Sequence, residues 1–148
     1  MQFTTKPMVK TLDLRAPLAY ASADAVSPFD LDPSLGWIAR YSLPGELGLA
    51  LEPDPGAYLG TLVFVGISPE SAPAESAVSI PVGLYLFAQA REAPSPGVVF
   101  ALALEAQREA LWRSMNPAGS LYVRCLVEDG GPVTQCFRPL VPSLPGKA

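Results

Sequence analysis

The chain has 148 residues, a length that fits a single domain (residues 1–148) able to bury roughly 70% of its unfolded surface. Its composition, 49% hydrophobic and 16% charged, is far from that of a disordered chain. A net charge of −4 argues against a nucleic-acid partner, and the absence of histidine argues against histidine-based catalysis or histidine-ligated metals, so we expect no metal and no cofactor.

The first quarter of the chain predicts one strand and one short helix. Apolar residues alternate over residues 6–14, which is typical of a strand, whereas residues 16–30 give no clear pattern. Asp32 followed by Pro33 has the form of a helix N-cap and first helical position. We therefore predict a helix from Pro33 to about Ser42 that carries Leu35, Trp37, Ile38 and Tyr41.

Two strands are predicted next. Leucines alternate over residues 46–52, and Pro53–Gly56 has the composition of a turn. Residues 58–67 are apolar on both faces, which indicates a central strand. The following stretch, residues 68–77, is rich in proline, serine and glutamate and is predicted to be a linker.

The second half begins with a predicted strand over residues 78–89. Ser95 is predicted to cap a helix that begins at Pro96 and runs to about Met115, with a buried stripe formed by Phe100, Leu104, Leu111 and Met115. Glu109 and Arg113 are spaced to form an ion pair on its solvent side.

A hairpin closes the chain. Strands over residues 121–128 and 133–140 flank Asp129–Pro132, and residues 141–148 are predicted to be a loose tail. Both halves then have the layout strand, helix, hairpin. We predict an α+β fold in which an antiparallel sheet and two helices arise by pseudo-two-fold duplication of a β-α-β-β unit, with repeats at residues 1–67 and 78–140.

Cytoplasmic localisation and no membrane partner are expected. The longest apolar stretch, Val98–Leu104, is far shorter than the roughly 20 residues that span a bilayer. The N-terminus lacks the basic and apolar segments of a signal peptide. The two cysteines form no CxxC motif.

Three short segments resemble the gyrase-inhibitor-like (GyrI-like) small-molecule-binding domains, which also form the effector-binding part of some multidrug-responsive transcription regulators. Ile80–Tyr85 is similar to the family's apolar-Pro-x-Gly-x-Tyr strand, which opens the second repeat. Leu121–Val123 and Val133–Leu140 look like its last two strands. The resemblance covers mainly residues 78–140 and implies a duplicated fold that binds a small molecule.

Two positions depart from that family. It often has a glutamate just before the apolar-Tyr pair and another in the last strand, and here Ser120 and Gln135 stand in those places. Their neutrality makes a cationic ligand, and the glutamate-dependent hydrolysis of some relatives, doubtful. No DNA-binding region is expected at the start of the chain.

The candidate ligand-binding residues are mainly aromatic. Tyr85, Phe87 and Tyr122 are the first choice, with Gln135 as an amide donor and acceptor, and the set is completed by Trp37, Tyr41 and Trp112. The alternative is that most of them are core residues.

Two other residue pairs can be interpreted either as structural features or as chemically active groups. Cys125 and Cys136 lie opposite each other if the hairpin turns about Gly130-Gly131, which allows a disulfide; two separate buried thiols are the favoured reading. Glu105 and Glu109 lie one helical turn apart and are interpreted as a solvated face rather than as an acid–base pair.

The sequence thus predicts a stand-alone binding domain for a largely apolar, neutral small molecule in a cleft between two repeats. The alternatives are a protein-interaction or homodimerisation module without a pocket, and a hydrolase variant of the same fold. Catalysis is the less favoured class, and no catalytic residue is assigned.

Overall fold

The computed structural model describes residues 7–23, 28–31, 36–42, 61–67, 77–113, 117 and 120–140. The described strands are β1 (Met8–Leu14), β2 (Leu18–Ala23), β3 (Ile38–Ser42), β4 (Thr61–Ile67), β5 (Ala77–Ile80), β6 (Gly83–Ala90), β7 (Leu121–Glu128) and β8 (Gly131–Pro139). One α-helix, α1 (Pro96–Trp112), follows β6 within these ranges, and a 3-10 turn lies at Pro28–Asp30. The predicted α+β class with an antiparallel sheet is confirmed.

The eight strands form one sheet in the order β1-β6-β8-β7-β3-β4-β2-β5, and every neighbouring pair is antiparallel. Chain connections require this sheet to curl. In a flat sheet β5 and β6 would lie about 29 Å apart, as would β1 and β2. However, only residues 81–82 join β5 to β6, which limits Ile80 and Gly83 to about 11 Å. Residues 15–17 join β1 to β2 in the same way.

Curling gives the sheet a concave side, which we call the interior face. One apolar cluster on this face draws a side chain from each of the eight strands: Leu12, Leu14, Leu18, Tyr20, Ile38, Phe64, Ile80, Tyr85, Phe87, Tyr122 and Phe137. Side chains from all strands can meet in this way only when the sheet rolls up around them. The opposite, outer face is covered by α1, which packs against β6 and β8.

The α1 helix begins as predicted, because Ser95 Oγ accepts a hydrogen bond of 3.1 Å from the backbone N–H of Val98. Its predicted buried stripe is wrong. Phe100 and Leu104 are only half-buried, and Met115 and the side chain of Leu111 lie outside the described residues. The buried positions are Val98, Val99, Leu102, Ala103, Ala106 and Ala110. All six belong to the apolar cluster on the outer face, so the contact with the sheet is made by three alanines together with Val98, Val99 and Leu102.

The predicted helix over residues 33–42 is wrong where it can be compared. Ile38–Ser42 form β3, which is hydrogen-bonded to β4 on one side and to β7 on the other. Ile38 packs on the interior face, whereas Trp37 and Ala39 pack on the outer face. Because both faces are buried, the segment shows no polar stripe or alternation that would distinguish a strand from a helix. Residues 32–35 lie outside the described residues.

The predicted strand over residues 78–89 is two strands. Pro81 and Val82 interrupt it, and Gly83 has a φ of 148°, a backbone conformation that other residues rarely adopt. The unassigned stretch 16–30 contains β2, and the strand predicted for residues 58–67 is confirmed from Thr61 onward. The strand at 46–52, the turn after it and the tail at 141–148 lie outside the described residues, as does the linker up to residue 76.

The β7–β8 hairpin is confirmed, but its turn is centred one residue earlier than assumed for the cysteines. Asp129 and Gly130 both have positive φ, 52° and 79°, as a type I′ turn requires. Cys125 therefore pairs with Thr134, and Cys136 pairs with Val123. The two cysteines are not opposite each other, and both are free and buried.

None of the described helices has the length and apolar character needed to cross a bilayer.

Candidate ligand-binding site

Four aromatic rings form the centre of the interior face. Phe137 on β8 is stacked against Tyr122 on β7, with ring centroids 5.3 Å apart, and against Phe87 on β6 at 6.4 Å. Tyr85 meets Phe137 edge to face at 5.5 Å. The structure thus brings together three of the predicted site residues, Tyr85, Phe87 and Tyr122. Phe137, which was not among the predicted site residues, contacts all three. It lies on β8 directly opposite Phe87 on one side and Tyr122 on the other. Its central position follows from the strand order, which the sequence does not show.

The hydroxyl of Tyr85 already has a partner inside the protein. It donates a hydrogen bond of 2.6 Å to the backbone carbonyl of Pro81, in the short connection between β5 and β6. Burial raises the pKa of this phenol, with a smaller contribution from Tyr122. Tyr85 therefore holds the connection in place as well as filling the interior, and its hydroxyl is engaged within the fold.

A row of polar side chains crosses the same face next to the aromatic rings. Gln89, Gln135 and Arg124 are aligned across β6, β8 and β7. Arg124 Nε donates to Gln135 Oε1 over 2.7 Å, and Gln135 Nε2 donates to Gln89 Oε1 over 2.7 Å. Arg124 Nη1 lies 3.5 Å from the hydroxyl of Tyr20 on β2. Gln135 is only 4% exposed, so its amide is satisfied by two side chains rather than by solvent.

A second arginine on this face has a similar neutral partner. Arg40 on β3 donates from Nε to Ser120 Oγ over 2.9 Å. Ser120 and Gln135 are the two positions noted for their neutral residues, and each accepts a hydrogen bond from an arginine. No local pattern predicts the Arg40–Ser120 pair, because the two residues are 80 positions apart and meet through the β3–β7 pairing.

The charge of these arginines is not balanced by the described part of the chain. Ion pairs between described residues join Arg15 to Asp13, Arg91 to Asp129, Arg108 to Glu105 and Arg113 to Glu109. None of them involves Arg40 or Arg124. The Arg113–Glu109 pair was predicted, and the pairing of both glutamates with arginines on α1 agrees with a solvated face.

The remaining predicted site residues lie elsewhere. Trp37 and Tyr41 belong to the cluster on the outer face, where Trp37 meets Phe29 edge to face at 5.7 Å. Trp37 is fully buried, and its indole Nε1 has no hydrogen-bond partner among the residues that the structure describes. Burial raises the pKa of Tyr41 to about 12. Trp112, at the end of α1, is 87% exposed. The seven candidates therefore occupy three separate places.

A cleft lies between α1 and the outer face of the sheet. Its walls include Ala103, Ala106, Leu86, Leu121 and Cys136, and Arg138 lies at its edge. The cavity volume is about 20 Å³, which is room for about one water molecule. In this conformation the cleft does not accommodate an organic ligand.

The two buried thiols, Cys125 and Cys136, are not activated as nucleophiles. Burial raises the pKa of Cys125 to about 11 and that of Cys136 to about 12. Because the thiolate is the reactive form, neither cysteine is suited to nucleophilic chemistry at neutral pH.

Comparison of the chain with known protein families and with curated proteins finds no match. The GyrI-like resemblance consequently rests on its short sequence segments alone.

Proposed function

We propose that the chain is a binding domain for a largely apolar small molecule, which is held on the interior face of the sheet between two repeated units. The observation that carries this proposal is the composition of that face: a layer of aromatic rings beside one row of hydrogen-bonded polar side chains. Ligand sites are typically apolar with a few placed polar groups. An interior face that served only as a core would not need the Arg124–Gln135–Gln89 row.

The strand order supports a duplicated fold. The sheet order is symmetric about its centre, between β7 and β3. Strands at equal distances from the centre correspond: β7 to β3, β8 to β4, β6 to β2 and β1 to β5. The units then run from β2 to β4 and from β6 to β8, and the 3-10 turn at Pro28–Asp30 has the chain position that α1 has in the second unit. In this arrangement the first repeat begins at β2, later than residue 1.

The edges of the sheet offer a route to the interior. β1 and β5 end the strand order, and in the described residues neither pairs with the other. Within the described ranges, the short connections at residues 15–17 and 81–82 hold the two edges together at one end only. Because the rings are in contact, a ligand has to separate these edges or displace a ring, so we expect binding to be coupled to a local opening of the sheet.

Binding of phenylnaphthylamine, a neutral dye that fluoresces in apolar surroundings, tests the proposal. We expect saturable binding of one dye per chain, weakened several-fold by Phe137→Leu in protein whose circular dichroism shows that it is folded. Trp112→Phe is the matched control, because it changes an exposed aromatic residue far from the interior. Unsaturable binding, or binding lost in Trp112→Phe and kept in Phe137→Leu, would contradict an interior site.

Homodimerisation is the second candidate, because β1 has a free edge in the described sheet and large apolar residues nearby are exposed. Met8 on β1 is 42% exposed and Leu84 on β6 is 52% exposed. Sedimentation at several protein concentrations distinguishes the two functions. A stable dimer that is lost in Leu84→Lys, in a protein that binds no dye, would favour this second function.

A further inference from the structure

The charge of Arg124 determines which kind of apolar molecule suits the interior face. Its guanidinium is partly buried, and its central carbon lies 5.7 Å from the centre of the Phe137 ring. Its described hydrogen-bond partners, Gln135 and the more distant Tyr20 hydroxyl, are both neutral. A cation withdrawn from water is costly unless it is paired, so this site gains from an arriving anion.

The described hydrogen bonds of Arg124 use only some of its N–H donors. A guanidinium carries five N–H donors in a planar fork. Nε is used by Gln135, and the 3.5 Å separation between Nη1 and the Tyr20 hydroxyl is too long for a strong bond. Within the described residues no other group bonds to the edge formed by Nη1 and Nη2, and the spacing of this edge matches the two oxygens of a carboxylate.

Gln135 fixes the orientation of this fork. Its Nε2 donates to Gln89, so its Oε1 must face Arg124. Because the Gln135 amide is buried and bonded on both sides, it holds Nε of Arg124 in one position. A guanidinium held in this way loses less conformational entropy when a ligand binds.

We propose that Arg124 binds the carboxylate of an amphipathic ligand whose apolar part lies against Phe137 and its neighbouring rings. This inference rests on the proposed function and changes its ligand class. The sequence favoured a neutral ligand because Gln135 and Ser120 carry no charge. In the structure, however, these two neutral residues are the hydrogen-bond partners of Arg124 and Arg40. The interior face therefore carries two cations that no described carboxylate neutralises.

A matched pair of ligands tests the charge separately from the apolar part. Naphthoate and naphthalenemethanol share a ring system and differ in the carboxylate, and acetate supplies the carboxylate alone. In displacement of phenylnaphthylamine from the wild-type protein, we expect naphthoate to bind about tenfold more tightly than the alcohol, since a charged hydrogen-bonded pair is worth about that factor. Acetate should displace no dye.

Gln135→Glu is the decisive variant, because it places a carboxylate on Arg124 with almost no change in shape. We expect it to abolish the preference for naphthoate over naphthalenemethanol, because Arg124 then already has a carboxylate partner. Arg124→Gln serves the same purpose if Gln135→Glu does not fold. Arg108→Gln, which removes one positive charge from the exposed face of α1, should leave the preference unchanged.

The outcomes separate the two proposals. Equal binding of both naphthalene compounds to the wild type, or a preference that survives both Gln135→Glu and Arg124→Gln, overturns the carboxylate site and leaves the apolar site standing. Displacement by acetate as strong as by naphthoate overturns the amphipathic ligand class. Failure of the dye and of both naphthalene compounds to bind overturns the proposed function and this inference with it.

Discussion

Arg124 and Gln135 face each other across β7 and β8, and their side chains are joined by a hydrogen bond of 2.7 Å. Gln135 passes this interaction on to Gln89, so one buried amide connects a cation to a third strand. Both hydrogen bonds of the row therefore depend on the Gln135 side chain.

Replacing Gln135 with leucine is expected to destabilise the fold by about 3 kcal/mol, because Arg124 Nε and Gln89 Oε1 both lose their partner in a buried place. Gln89→Leu removes only the hydrogen bond from Gln135 Nε2 to Gln89 Oε1 and should cost about 1 kcal/mol of unfolding free energy. Urea unfolding of both variants measures the difference. Equal losses of unfolding free energy would mean that water can hydrogen-bond to Arg124 and Gln89 in place of Gln135, and that the row is accessible to solvent.

Tyr85→Phe is expected to lower the free energy of unfolding by about 1 kcal/mol, because it removes only the hydrogen bond to the Pro81 carbonyl. Tyr85→Ala should cost about 3–5 kcal/mol, because it also leaves a cavity among Tyr122 and Phe137. Thermal unfolding checks both values. If Tyr85→Ala were as stable as Tyr85→Phe, the interior would be loosely packed. A large loss makes Tyr85→Ala unsuitable as a test of binding.

Gly130→Ala is expected to destabilise the hairpin by about 1 kcal/mol, because Gly130 has a φ of 79° that an alanine adopts only with strain. Gly131→Ala is the matched control. An added Cβ meets nothing within 4 Å at either position, and of the two only Gly130 has a positive φ. Equal effects in denaturant unfolding would show that the conformation of the turn is not what selects glycine.

Alkaline pH is expected to destabilise the protein through its buried acidic groups. Burial raises the pKa of Cys136 from 9.0 to about 12 and that of Tyr41 from 10.0 to about 12. Above pH 9 the unfolded chain begins to release these protons while the folded chain keeps them, so the contribution of these groups to stability is constant below about pH 9 and falls as pH rises toward 12. Each group contributes at most about 1.4 kcal/mol per pH unit.

Cys136→Ala should make this fall less steep, whatever its effect on stability at pH 7. Urea unfolding between pH 7 and pH 10.5 gives the two slopes. Identical slopes in the variant and the wild type would mean that the Cys136 thiol ionises as easily in the folded protein as in the unfolded one.

Local signals in the sequence predicted the elements that depend on local chemistry. The Ser95 cap, the start of α1, the β7–β8 hairpin and the Glu109–Arg113 pair follow from residues within a few positions of each other. The β3 strand could not be recognised, because Trp37–Tyr41 is buried on both faces and a short apolar run is compatible with helix or strand. One residue of error in the turn was enough to misalign Cys125 and Cys136.

The candidate site was predicted only in part, because it depends on strand order. Tyr85, Phe87 and Tyr122 were chosen as aromatic residues, the two tyrosines at positions that match the motif of the resembled family, and they do meet on one face. Trp37 and Tyr41 face outward because of their register in β3, which the helix prediction obscured. Arg124 and Arg40 were overlooked, since nothing near them in the sequence indicates that neutral partners would hold them on the interior face.

The position of β1 determines the order in which the protein can fold. β1 precedes the other described strands in the chain, but its partner in the sheet is β6, whose residues follow about seventy to eighty positions later. Such long-range contacts slow folding, because loop closure has to occur before pairing stabilises it. On the ribosome β1 must therefore wait for β6, its described partner, and the sheet can curl fully only after the second half has emerged. Hydrogen exchange during refolding should accordingly find the amides of β1 protected later than those of the β7–β8 hairpin.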